Sequence, residues 1–181
     1  MKCTISLIPF SEVPQRYAEA LAKGLEEIFS MDAAWREPIP MPSDAFDASR
    51  SQYRATKLLQ RICRHKDEPT QIVLGITRED IYEEGLNFVF GVATPVHRCA
   101  LVSTKRLSNA FYGLPEDETL FFRRLMTEAV HEIGHTLGLE HCPNPHCVMH
   151  FSNSLADTDK KGFLFCAECR RKVDHALAAC R

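Results

Sequence analysis

Apolar positions along the chain follow two periods. CTISLI, near the start, is a short run that reads as a first strand, and Tyr17, Leu21, Leu25 and Ile28 then recur at helical spacing, marking an amphipathic helix that ends near Ser30. The stretch REPIPMPSDAFDAS, rich in Pro, Ser and Asp, breaks any regular pattern and reads as a connection too short to link domains. Helical spacing returns from Gln52 to His65 through Tyr53, Leu59 and Ile62, after which TQIVLGIT, LNFVFGVA and CALVST read as three strands parted by polar, Gly or Pro breaks. The longest helical pattern, LPEDETLFFRRLMTEAVHEIGHTLG, opens on Pro115 and an acidic turn from Glu116 to Glu118, as helix amino termini do. Its stripe of Phe122, Leu125, Met126, Ala129, Val130, Ile133 and Leu137 is predicted to face a sheet, giving an α/β layer.

The other face of that helix carries the candidate chemistry. His131 and His135 stand four residues apart, one turn above the other, where two imidazoles converge on one ion. Glu132 adjoins the first of them and can reach a metal-bound water without being a ligand itself. Gly138 follows where a helix commonly ends in a left-handed residue, and the sharp turn it allows delivers His141 from a loop as a third ligand. The string HExxHxxGxxH from His131 to His141 therefore has a geometric reason at each fixed position.

Composition narrows the rest. At 181 residues with 25% charged and 45% hydrophobic residues, the chain suits one globular domain or one domain with a small appendix. A formal net charge of −2 gives no global attraction to nucleic acid or anionic membrane, so neither is expected as a partner. MKCTISLIPF lacks the long apolar core of a signal peptide, and no run of 18 apolar residues occurs, so a cytoplasmic location is expected. In that reducing compartment structural disulfides are disfavoured, and the eight cysteines need another explanation. Cys142 with Cys147, and Cys166 with Cys169, form a two-plus-two set suited to a closed tetrahedral zinc site. Cys3, Cys63 and Cys99 read as small buried hydrophobes, and Cys180 as an unassigned thiol near a fraying end.

The signature HExxHxxGxxH resembles that of the metzincin clan of zinc peptidases. Met149, in CVMHF, suits the clan's Met-turn as an apolar base beneath the imidazoles rather than a ligand. With CPNPHC and CAEC added, the chain looks like an archaemetzincin, and LNFVFGVA and STKRL are also similar to that family. The resemblance implies a metzincin-type α/β fold: a mixed, mostly parallel twisted sheet, an antiparallel edge strand, an active-site helix and a small C-terminal four-cysteine subdomain. Residues 1–141 would form the first part and residues 142–181 the second. It also implies two zinc ions per chain, one catalytic on His131, His135 and His141, one structural on Cys142, Cys147, Cys166 and Cys169. A peptide or protein substrate would pair with the edge strand, for which Asn87, Phe88, Val89, Phe90 and Gly91 are the candidates, and the chain is expected to be a monomer.

Three neutral imidazoles leave the ion an open position and bring a bound water's pKa to about 7, with Glu132 as base first and acid second. The family implies peptidase chemistry, with aminopeptidase action on short peptides in some members. Glu128 is a candidate for an amino-terminus contact but reads more simply as a helix-surface carboxylate; Tyr112 reads as a surface or packing residue. Three rivals stay open: a metzincin-fold protein without general proteolytic activity, a zinc-dependent binding module using Arg170, Arg171 and Lys172, and a thiol-disulfide protein using Cys166 and Cys169.

Overall fold

The computed structural model describes residues 3–69 and 71–180. Thr70, first residue of the predicted strand TQIVLGIT, and Met1 and Lys2 of the amino-terminal reading lie outside them. Four parallel strands form most of one sheet: β1 (Thr4–Pro9), β2 (Asp32–Trp35), β5 (Ile72–Thr77) and β8 (Cys99–Ser103). The order is β2-β1-β5-β8, and β7 (Gly91–Thr94) closes one edge antiparallel to β8, with Gly91 opposite Val102 and Thr94 opposite Cys99. The mixed, mostly parallel sheet with an antiparallel edge strand is thus present.

Alternation along the buried strands sorts two apolar layers. Ile5 and Leu7 of β1, Leu74 of β5 and Val102 of β8 meet helices α1 (Gln15–Phe29) and α3 (Glu118–Thr136) on one face. Ile8, Val73 and Leu101 point to the other face, where Leu58 and Ile62 of α2 (Ala55–Cys63) cover them. The chain from β1 runs to α1 and outward to β2, then crosses through α2 to β5 on the opposite side of β1, so strand order reverses between β1 and β5.

Two sequence readings shift here. The predicted helix from Gln52 starts at Ala55, because β4 (Gln52–Arg54) joins β3 (Phe46–Asp47) and β6 (Ile81–Tyr82) in a small second sheet, order β3-β4-β6. The predicted strand LNFVFGVA is regular only from Gly91. Before that, the Asn87 carbonyl accepts from Arg50 Nη2 (3.1 Å) and Gln52 Nε2 (3.0 Å), and Val89 N donates to Ile81 O (3.0 Å), so these groups are drawn to the small sheet.

Two short helices end the chain, α4 (Leu155–Lys161) and α5 (Ala167–Ala176). Arg124 of α3 grips Asp159 of α4 through Nε (2.7 Å) and Nη2 (2.8 Å), and Arg170 of α5 donates to Ile28 O at the end of α1 (2.5 Å). That second contact brings the last turn beside β1, and Cys3 and Cys180 form a disulfide with their Cα atoms 5.0 Å apart. Cys3 is buried as the sequence suggests, but it is bridged rather than free, and Cys180 is its partner: packing of α5 against α1 juxtaposes two positions 177 residues apart. A Cys180→Ser chain is expected to lose about 2–5 kcal/mol of stability. Equilibrium urea unfolding with and without the bridge measures it.

Candidate metal centres

Helix α3 is built to present its carboxyl-terminal half. Asp117 caps it, accepting from Leu120 N at 2.9 Å, and Leu125, Met126, Ala129, Val130 and Ile133 anchor the buried stripe. His131 and His135 project from the opposite side. Gly138 adopts φ +86°, the left-handed turn expected from the sequence, and His141 comes back over the two histidines. The ligand-capable atoms of the three lie within 4.8 Å of one another.

Backbone carbonyls set the orientation of the two helix histidines. Nδ1 of His131 lies 2.7 Å from Val148 O and Nδ1 of His135 lies 2.8 Å from Leu139 O, so both rings carry the proton there and turn bare Nε2 atoms inward. The two Nε2 atoms face each other at 3.0 Å. Facing lone pairs repel unless a cation sits between them, and a tetrahedral ion bound at about 2.0–2.1 Å would hold such nitrogens roughly 3.3 Å apart. Burial lowers the pKa of all three rings, aided at His131 by the nearby Lys161 ammonium, which keeps them neutral and ready to ligate. His141 is the exposed member and rests against Phe151, ring centroids 5.0 Å apart.

Met149 is fully buried and packs against Gly134, between the two helix histidines. Glu132 is 5% exposed, and burial, reinforced by the neighbouring Glu128 carboxylate and opposed by Lys161, pushes its carboxyl well above the usual range. A carboxylate so shifted is a stronger proton acceptor.

Glu128 corrects a sequence reading: it is a buried residue, not a surface one. Its Oε1 accepts from Thr158 Oγ1 (2.9 Å) and pairs with Lys161 Nζ (3.4 Å), and Lys161 also donates to His150 O at 3.2 Å. Sequence reasoning missed Lys161 and Thr158 altogether. The one available signal was the position of Glu128 a turn before His131; a lysine thirty residues later gives none.

The four cysteines Cys142, Cys147, Cys166 and Cys169 also converge, their sulfurs within 4.8 Å of one another and Cys142 3.9 Å from Cys166. Tetrahedral Zn–S bonds of about 2.3 Å would set sulfurs roughly 3.8 Å apart, so this set fits the ion as well. The Cys169 backbone N–H lowers the Cys166 thiol to about 7, so it is poised to ionise. Cys166 stands at the amino-terminal boundary of α5, and its sulfur sits among three others rather than with one partner. His141 and Cys142 are adjacent, and Cys142 N donates to Met149 O at 2.9 Å, so one loop serves both clusters. His150 Nδ1 is held by Cys142 O at 2.8 Å, whereas His146 is exposed.

A cleft of about 820 Å³ runs past the histidines, and Asn87, Phe88, Val89, Phe90 and Gly91 all line it with Glu132. Phe90 is buried in the core and the Asn87 carbonyl is occupied, which leaves the outer edge of β7 as the run open to an extended chain. Gly91 meets the active-site helix directly: a Cβ there would lie 2.6 Å from Leu101 O and 2.7 Å from Glu132 Cγ. Gly91→Ala is therefore expected to displace Glu132 or the edge strand and cut any hydrolysis at least about tenfold. Peptide turnover with zinc content checked in parallel measures it.

Comparison with known proteins agrees with this geometry. A sequence model described as peptidase family M54 matches residues 36–175. The chain belongs to the archaemetzincins, peptidase family M54. It is 42% identical to the archaemetzincin of Pyrococcus furiosus over 98% of this chain and 95% of that one. In the same family, the archaemetzincin structure from Methanopyrus kandleri superposes with TM-score 0.85 at 34% identity, covering 98% of this chain and 96% of the other. A structure described as a zinc-dependent peptidase from Methanocorpusculum labreanum gives TM-score 0.86 at 32% identity, covering 93% of this chain and 99% of that chain. Family membership makes the chain a zinc metallopeptidase. No helix among the described residues is long and apolar enough to cross a membrane.

Proposed function

We propose that the chain hydrolyses peptide bonds at His131, His135 and His141, which hold a zinc ion, with Glu132 handling the proton and a second, structural zinc on Cys142, Cys147, Cys166 and Cys169. The carrying observation is the pair of carbonyl-fixed imidazoles whose bare Nε2 atoms meet at 3.0 Å beside a buried, proton-hungry carboxylate. Bound there, zinc would acidify a water and act as Lewis acid toward the scissile carbonyl. Glu132 accepts the proton of the attacking water and then delivers it to the departing amine. The outer edge of β7 offers main-chain hydrogen bonds to an extended peptide, which gives affinity with little sequence selection. Val148 O and Leu139 O keep the rings from turning during the reaction.

Aminopeptidase action would need a carboxylate free to meet the substrate's amino terminus. Glu128 is engaged by Lys161 and Thr158, which leaves Glu140, exposed at the cleft rim and without a side-chain partner among the described residues. In α5 Arg170 pairs with Asp174 and Lys172 with Glu168, which argues against a free phosphate-binding face.

The test is a diverse peptide library incubated with the zinc-loaded protein beside a Glu132→Gln variant, with products read by mass spectrometry. Cleavage by the unsubstituted protein alone supports the proposal, and the cut positions separate aminopeptidase from endopeptidase. No cleavage with both metals bound would overturn general proteolysis and favour action on one specific partner.

A further inference from the structure

A second cavity, of about 480 Å³, opens at the carboxyl ends of β1, β5 and β8. In open α/β sheets the crevice where strand order reverses is the usual place for a ligand, because the loops leaving adjacent strands part to opposite faces. Here that point lies between β1 and β5. The loop after β1 contributes Val13, β5 contributes Ile76, and Tyr17, Phe121 and Leu125 complete an apolar wall from α1 and α3.

The charges around it are uneven. Arg78 and Lys105 stand at the rim, exposed, and their side chains have no ion pair or hydrogen bond among the described residues. Of the two rim acids, Glu116 is spent, accepting from Ser108 Oγ (2.7 Å) and Ala110 N (2.5 Å), and Glu12 alone opposes the cations. Two free cations against one free acid suit a single negative charge.

The cavity is also wired to the catalytic cleft. Phe111 lines the cavity and Phe88 lines the cleft. Between them lies Arg106, its guanidinium 4.7 Å from the Phe111 ring and 4.2 Å from the Phe88 ring. Asp80 fixes that guanidinium through Nε (2.7 Å) and Nη2 (2.8 Å), and the same carboxylate accepts from Gln52, which also holds the Asn87 carbonyl. Leu125 and Glu132 lie seven residues apart on α3, roughly 10 Å along its axis, so one rigid helix floors both sites.

We propose that this crevice is a second binding site, for a small organic monoanion with an aromatic or branched apolar body, and that occupancy is transmitted to the substrate cleft through the Phe111, Arg106, Phe88 stack. A body seated on Val13, Ile76 and Leu125 places its carboxylate near Arg78 and Lys105. Contact with the Phe111 ring then shifts Arg106 and with it Phe88.

N-acetyl-L-phenylalanine is the probe, titrated into the zinc-loaded protein and followed by methyl and aromatic NMR, with neutral N-acetyl-L-phenylalaninamide as control. Saturable shifts at the methyls of Val13, Ile76 and Leu125 and at the Phe88 ring are expected, with the amide at least about tenfold weaker. The exposed double substitution Arg78→Ala with Lys105→Ala should weaken the acid by a similar factor. Phe111→Leu removes one wall contact, so it should weaken the methyl shifts without abolishing them, and at saturating probe it should remove the response at Phe88. Shifts confined to the histidine cleft, or equal binding of acid and amide, or indifference to the double substitution would overturn the site. Survival of the Phe88 response in Phe111→Leu would overturn the transmission.

Discussion

Glu132→Gln is expected to lower kcat/KM by about 10²- to 10⁴-fold while leaving zinc content unchanged. The substitution keeps the side chain's size, so Gly91 still meets a group of the same shape, and it removes only the capacity to accept a proton. Neither helix histidine depends on Glu132 for its orientation, since Val148 O and Leu139 O hold them. Steady-state peptide hydrolysis, paired with metal analysis of the same sample, measures both halves. Equal loss of zinc and activity would mean that Glu132 holds the site together instead of working within it.

The larger structural effect is expected from Cys142→Ser. Structural zinc contributes on the order of 10 kcal/mol of apparent binding free energy in small folds, and one missing thiolate forfeits much of it. The loss should not stop at the cysteines. Cys142 follows His141 directly, and its backbone N–H and carbonyl hold Met149 and His150, so loosening this residue loosens the loop that completes the histidine cluster. A tenfold to hundredfold weaker histidine-site affinity is expected, about the effect of removing a supporting contact around a metal. Competition with a chromophoric chelator resolves the two affinities; full affinity at the histidine site in the Cys142→Ser chain would sink the coupling.

Much of the candidate site is legible in sequence because it is local. His131, Glu132, His135, Gly138 and His141 fall within one helix end and one turn, where spacing fixes geometry. The four cysteines are legible as two close pairs. What the sequence hides is long-range: Lys161 reaches Glu128 from a separate helix, and Cys3 meets Cys180 only because α5 settles on α1. The strands of the small second sheet are hidden for a different reason. At two and three residues, β3, β4 and β6 are too short to show a period, and their neighbours' hydrophobic pattern absorbs them. The same sheet draws Asn87 and Val89 out of line, which no alternation in LNFVFGVA foretells.

The bridge between Cys3 and Cys180 makes nearly the whole chain a covalent ring. A single cut in a surface loop between the two cysteines opens the ring without releasing a fragment. Both pieces stay at high effective concentration, and the nicked molecule migrates as one species until a reductant is added.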